Sequence, residues 1–176
     1  SKPLALAGTM GGAESEVVSS TTSVAIEAAH FFSHVVAKNS RTHILSSEAS
    51  RRFERGVDPA LTDYASARAV ELLIEYAGAT YVGSTMAGAI TKAPAIEFNP
   101  REISQLIGHE YSDSEIEKTL IGVGCVIDKS GKNSRWSAEP PTWRPDLTMM
   151  ADLAEEVARV VGYDSIPSLM PDVKIG

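Results

Sequence analysis

The sequence predicts an α+β chain of two parts: a partial α/β unit over residues 1–92, then a small winged-helix-like module over residues 93–176. Three observations predict it. Apolar residues recur at helical spacing from Leu61 to Tyr76, a β-hairpin signal surrounds Lys129–Asn133, and Thr91-Lys92-Ala93-Pro94 reads as a linker between the two.

The first unit opens on Leu4-Ala5-Leu6-Ala7, a short apolar strand candidate that runs into Gly8-Thr9-Met10-Gly11-Gly12. Three glycines in five residues permit tight turns and a close backbone approach to a ligand. Thr22–Ala28 reads as a second, mostly buried strand with Glu27 near its end, and helical character follows over Phe32–Lys38. Ser40–Pro59 is a polar stretch carrying four arginines. From about Pro59 to Tyr76, Leu61, Ala65, Ala69, Leu72, Leu73 and Tyr76 fall on one stripe, so this is the clearest helix. Asp58 before Pro59 suits its start and Gly78 its stop. A glycine-interrupted strand over Tyr81–Ala87 completes the unit.

The second unit is more regular. Ile96–Phe98 is a short strand, and Asn99-Pro100 starts a helix reaching Ile107. Ser112 or Asp113 starts another, with Ile116, Leu120 and Ile121 facing inward, and it stops at Gly122 or Gly124. Cys125–Asp128 and Arg135–Glu139 are the hairpin strands, and a last helix covers Met149–Val161 with Leu153, Val157, Val160 and Val161 on its apolar face.

Composition is that of a soluble globular chain, 43% hydrophobic and 22% charged. No apolar run reaches the roughly 18 residues of a membrane span, and Ser1-Lys2-Pro3-Leu4 has no signal-peptide pattern. A single cysteine, Cys125, excludes an internal disulfide framework and fits a reducing cytoplasm; its apolar setting reads as buried. The net charge of −7 divides into −1 for residues 1–92 and −6 for residues 93–176. The second unit therefore lacks the dense basic surface that phosphate-driven nucleic-acid binding needs.

Asp152, Glu155 and Glu156 stand at i, i+3 and i+4, with Asp146 six residues earlier. Oxygen ligands converging at a helix start suit Mg²⁺; equally, acidic residues favour a helix N-terminus, and Glu155 and Glu156 can pair with Arg159. Glu27 with His30 and His34 invites a zinc reading, but no HExxH pattern is present, and a strand-end glutamate in a local hydrogen bond explains it as well. Arg51, Arg52 and Arg55 suit phosphate or carboxylate, although Glu48, Glu54 and Asp58 stand close enough to neutralise them. Gly8–Gly12 matches neither a Walker A loop nor a dinucleotide fingerprint.

Taken together, Ala7–Gly12, Ile26–Phe32 and Ser47–Pro59 resemble the editing (B3/B4) domain of the bacterial-type phenylalanyl-tRNA synthetase β subunit. Pro140-Pro141-Thr142-Trp143-Arg144-Pro145-Asp146 and Asp152–Pro167 resemble its B5 signature. The resemblance implies a cytoplasmic (αβ)₂ ligase that charges tRNA(Phe) with phenylalanine at the expense of ATP, which this piece would not itself bind. It implies hydrolysis of mischarged tyrosyl-tRNA by the editing domain, with pocket positions falling on Gly11, Glu27 and Ala49 and with Ser47 at the rim. The family often has threonine where this chain has Ser47. It also implies a Mg²⁺ site shared with the α subunit, whose positions fall on Asp146, Asp152, Glu155 and Glu156. The N-terminal part of the editing domain, including a pocket histidine, lies outside the sequence, so an isolated fragment is expected to hydrolyse little. Alternatives are a nucleic-acid-binding winged helix and a purely structural module contacting the α subunit.

Overall fold

The computed structural model describes residues 3–90 and 92–168, which fall into two units, Ser1–Thr91 and Lys92–Gly176. In the first, β1 (Ala5–Leu6) turns back on β2 (Met10–Gly11) as a two-stranded antiparallel ladder with Ala5 opposite Gly11. The turn depends on Gly8, whose φ of +64° lies in the left-handed region. A Cβ at Gly8 would also stand 2.9 Å from Val36 Cγ2 and 3.0 Å from the Phe31 ring.

The described residues of this unit form three α-helices, α1 (Ser33–Thr42), α2 (Glu48–Phe53) and α3 (Leu61–Ala77). Helix α1 extends past the expected Lys38, and α2 lies inside the stretch read only as polar. Its start is a capping box: Ser47 Oγ accepts from the Ser50 N–H and Ser50 Oγ from the Ser47 N–H. Helix α3 begins at Leu61, two residues after the expected Pro59, because Asp58 Oδ1 accepts from the Ala60 N–H and holds a turn there.

Two expectations fail in this unit. Thr22–Ala28 is irregular and its Val24 and Ile26 are exposed. Tyr81–Ala87 likewise forms no strand. A strand is held by its ladder, and neither segment has a ladder partner among the described residues. The apolar stripe of α3 has the right spacing, yet none of that helix's residues is buried.

The second unit builds one core. Its order is β3 (Ile96–Phe98), α4 (Pro100–Ile107), α5 (Asp113–Gly122), β4 (Val126–Asp128), β5 (Trp136–Glu139) and α6 (Met150–Val161). The strands form an antiparallel sheet, β3-β5-β4, with Phe98 opposite Trp136 and Ile127 opposite Ala138. Ile96, Phe98, Trp136 and Ala138 point to one buried face while Glu97 is exposed, as a two-residue period requires. Ile103, Ile116, Leu120, Leu147, Leu153 and Val157 complete that core. Each such side chain contributes roughly 1.5–3 kcal/mol by leaving water. Asn99 and Glu102 cap α4 reciprocally, with Pro100 in its first turn, and Ser112 and Glu115 do the same for α5.

Ile121 was expected inside but is exposed, and so are Val160 and Val161 in part. The inward stripe of α5 is narrow, and α6 leaves the core after Ala158, so its last turn runs past the packed face. Cys125 is buried, as its sequence setting suggested, and burial raises its thiol pKa. No described helix is long and apolar enough to cross a membrane.

Candidate functional site

In the first unit, Ser47 is the junction. Its hydroxyl donates to the Thr9 carbonyl at 2.6 Å while accepting from the Ser50 N–H at 3.0 Å. One side chain thus ties the glycine loop to the start of α2. Thr9 and Ser50 are buried at this seam, and an edge-to-face pair of Phe31 and Phe53, 5.0 Å apart, packs in the same unit. Of the sequence-predicted pocket residues, the tie therefore joins Ser47, on the helix that carries Ala49, to the loop that carries Gly11. Gly11 and Ala49 are exposed, and nothing lies within 4 Å of where a Cβ on Gly11 would sit. Glu27 is exposed in the irregular segment and makes no hydrogen bond or ion pair among the described residues.

The arginines of this unit are less neutralised than their spacing suggested. Arg51 pairs with Glu48 at 3.2 Å, but among the described residues Arg52 and Arg55 pair with no carboxylate, and Asp58 holds the turn before α3. His34 stacks at a tilt on Phe32, with ring centres 5.9 Å apart.

In the second unit the carboxylates before and along α6 are held, each by a different device. Glu156 is only 3% exposed. Arg159 donates from Nε to its Oε1 at 3.1 Å and from Nη2 to its Oε2 at 2.6 Å. Arg144 approaches through Nη1 to Oε2 and Nη2 to Oε1, each at 3.0 Å. These guanidinium bonds, Arg159's first, hold the Glu156 carboxyl down to about 2. Arg144 also grips Asp146 through Nε and Nη2, at 2.9 and 2.6 Å, which lowers the Asp146 pKa and raises that of Arg144. Asp152 Oδ2 instead accepts from the Thr148 and Met149 N–H groups and the Thr148 hydroxyl, and those bonds lower its pKa. Glu155 accepts from the Tyr163 hydroxyl at 3.2 Å.

Magnesium needs oxygen lone pairs that are free to turn toward it. Both oxygens of Glu156 are engaged: Oε1 accepts from Arg159 Nε, Oε2 accepts from Arg159 Nη2 and Arg144 Nη1, and Arg144 Nη2 stands 3.0 Å from Oε1 as an ion pair. Among the described residues no three His, Cys, Asp or Glu side chains gather closely enough to hold a metal ion, the Glu27, His30 and His34 set included. As arranged here, Asp146, Asp152, Glu155 and Glu156 do not fit the ion. Arg144 stands in the stretch that resembles the B5 signature, but its bond to Glu156 was missed. Twelve positions separate the two, and no helical or strand period links them.

Residues 1–78 match the family model described as B3/4 domain, and residues 96–163 match that of the tRNA synthetase B5 domain. Phenylalanine–tRNA ligase beta subunits are similar over nearly the whole chain. That of Corynebacterium efficiens is 45% identical over 97% of the chain and 20% of its own length. That of Corynebacterium glutamicum is 46% identical over the same shares, and that of Thermobifida fusca is 43% identical over 100% of the chain and 21% of its own length. The chain thus spans about a fifth of the length of the curated relatives it matches.

Proposed function

The chain belongs to the phenylalanine–tRNA ligase beta-subunit family, and from that premise we propose that its first unit supplies part of a hydrolytic proofreading pocket. The second unit would serve as a module that contacts the α subunit. In the whole enzyme, an (αβ)₂ assembly, ATP-dependent charging of tRNA(Phe) would take place on the partner chain in the cytoplasm. The observation that supports the pocket is the Ser47 tie, which draws the Gly11 loop and the Ala49 helix into one neighbourhood.

Editing then proceeds by positioning. Glu27 accepts a hydrogen bond from the para-hydroxyl of tyrosine, a group that phenylalanine lacks. A site built around such a bond discriminates strongly, because the analogue without the hydroxyl leaves a polar group unpaired. Water adds to the carbonyl of the tyrosyl ester, the bond to the ribose oxygen breaks, and the proton passes to that oxygen. Free tyrosine and uncharged tRNA leave. No step runs through Glu156 or a metal ion; a magnesium ion near α6 rests on the resemblance alone.

In the full-length subunit assembled as its active enzyme, Glu27→Ala should raise the accumulation of tyrosyl-tRNA(Phe) while phenylalanine charging persists. Unchanged clearance of tyrosyl-tRNA would sink the assignment.

A further inference from the structure

We propose that Glu156 anchors an ion-pair clasp that seats the loop of residues 140–146 on α6, and that it does not serve as a cation ligand. Its carboxylate receives one fork from Arg144 and one from Arg159, at 2.6–3.1 Å, and lies buried between them. Arg144 carries the tie onward by gripping Asp146 with Nε and Nη2. One guanidinium thus joins loop to helix, and it is itself four-fifths covered.

Each guanidinium is matched within the clasp, Arg144 by Asp146 and Glu156 and Arg159 by Glu156. A divalent cation at Glu156 would face both guanidiniums across a buried carboxylate. It would also have to displace charge-assisted bonds that water could not replace inside the unit.

The loop that the clasp holds is worth holding. Leu147, which follows it directly, is buried in the core. Trp143, just before Arg144, lies against Gly124, where a Cβ would stand 2.9 Å from the indole and 3.1 Å from Pro141. Gly124 sits at φ +97°, so the loop fits a backbone that no side chain could share. Releasing Arg144 therefore frees both the exposed Trp143 surface and the entry to α6.

The test is thermal unfolding of the 176-residue chain with millimolar Mg²⁺ and with EDTA, together with the metal content of the assembled full-length enzyme. The clasp requires Glu156→Gln to lower Tm by roughly 10 °C, equally with and without Mg²⁺. Arg144→Gln should lower it comparably, and the double variant should fall well short of the two losses added. If a cation were held instead, Arg144→Gln would remove a competing positive charge, and Tm would hold or rise with Mg²⁺. Should Glu156→Gln fail to fold, Arg159→Lys keeps the charge without the fork and should still lose several degrees. Metal content unchanged in Glu156→Asp and Arg159→Lys enzyme supports the clasp. Loss of one bound ion in Glu156→Asp but not in Arg159→Lys overturns it.

Discussion

The two units spend their apolar residues in opposite ways. Residues 92–168 direct them into one shared core, with Phe98, Ile103, Ile116, Leu120 and Leu153 wholly covered. Residues 3–90 bury Val36 and leave Leu61, Leu72, Ile74, Val24 and Ile26 open to solvent. Both units have a helix with apolar residues at helical spacing, although the apolar face of α3 is less sharply divided from its polar face than that of α6. The units differ as well in whether a facing surface is present within each. Amphipathic patterning predicts an element, but most of a helix's stability comes from what its apolar face packs against. With about a fifth of the length of its relatives present, the chain contains a unit that closes on itself and one that does not.

Truncation in the core should break this contrast most sharply. Leu153→Ala removes a fully buried side chain between the sheet and the helices. It should cost about 3–4 kcal/mol, read as a fall in the midpoint of denaturant unfolding. A loss below about 1 kcal/mol would show that the second unit is no better packed than the first.

Acid should act next, through Glu156 of the second unit. The Glu156 carboxyl is depressed to about 2 in the folded state. A depressed carboxylate contributes stability that is fully present above its unfolded value and is lost as pH falls through the folded one. The loss should therefore develop between about pH 4.5 and pH 2 and reach on the order of 2–3 kcal/mol. Glu156→Gln should flatten that limb of the stability curve, measured by urea unfolding across the pH range.

Much of this was legible in the sequence because it is local. Helix α4 shows itself through Asn99, Pro100 and Glu102, α5 through Ser112 and Glu115, and the hairpin through Gly131 and its neighbours, all within a few residues of each other. The two missed strands, Thr22–Ala28 and Tyr81–Ala87, are β-like in composition, but a strand exists only through a ladder, which composition does not reveal. The site divides in the same way. Asp146, Asp152, Glu155 and Glu156 were visible as a group, yet their partners were not. Thr148 and Met149 cap Asp152 from nearby, whereas Arg144 reaches Glu156 across the fold. Ser47 was read as a pocket rim; its bond to Thr9, thirty-eight residues away, makes it a tie as well.

Helix caps offer a matched pair of smaller effects. Asn99→Ala removes the cap of α4 in the closed unit and should cost about 1 kcal/mol of its cooperative unfolding. Ser47→Ala removes both the cap of α2 and the bond to Thr9. Its cost should appear locally, as faster amide exchange over Thr9–Gly12 and Ser50–Phe53, with little change in the midpoint of the second unit. Ser47→Thr keeps the hydroxyl and should restore protection. A global midpoint shift from Ser47→Ala would show that the units unfold as one.

The smallest effect is the most pointed. Leu72 lies on the α3 stripe and is exposed here, so Leu72→Ala should change the stability of this chain by less than about 0.5 kcal/mol. The stripe nonetheless has helical spacing, and an apolar stripe on a helix typically faces a core. Carried into the full-length subunit, the same substitution should cost several times more, because there the leucine would leave a packed surface and a cavity behind. Equal and negligible costs in both settings would mean that α3 is exposed in the whole protein too. The openness of the first unit would then be its native condition, and the proposed proofreading pocket would have to be assembled without that face.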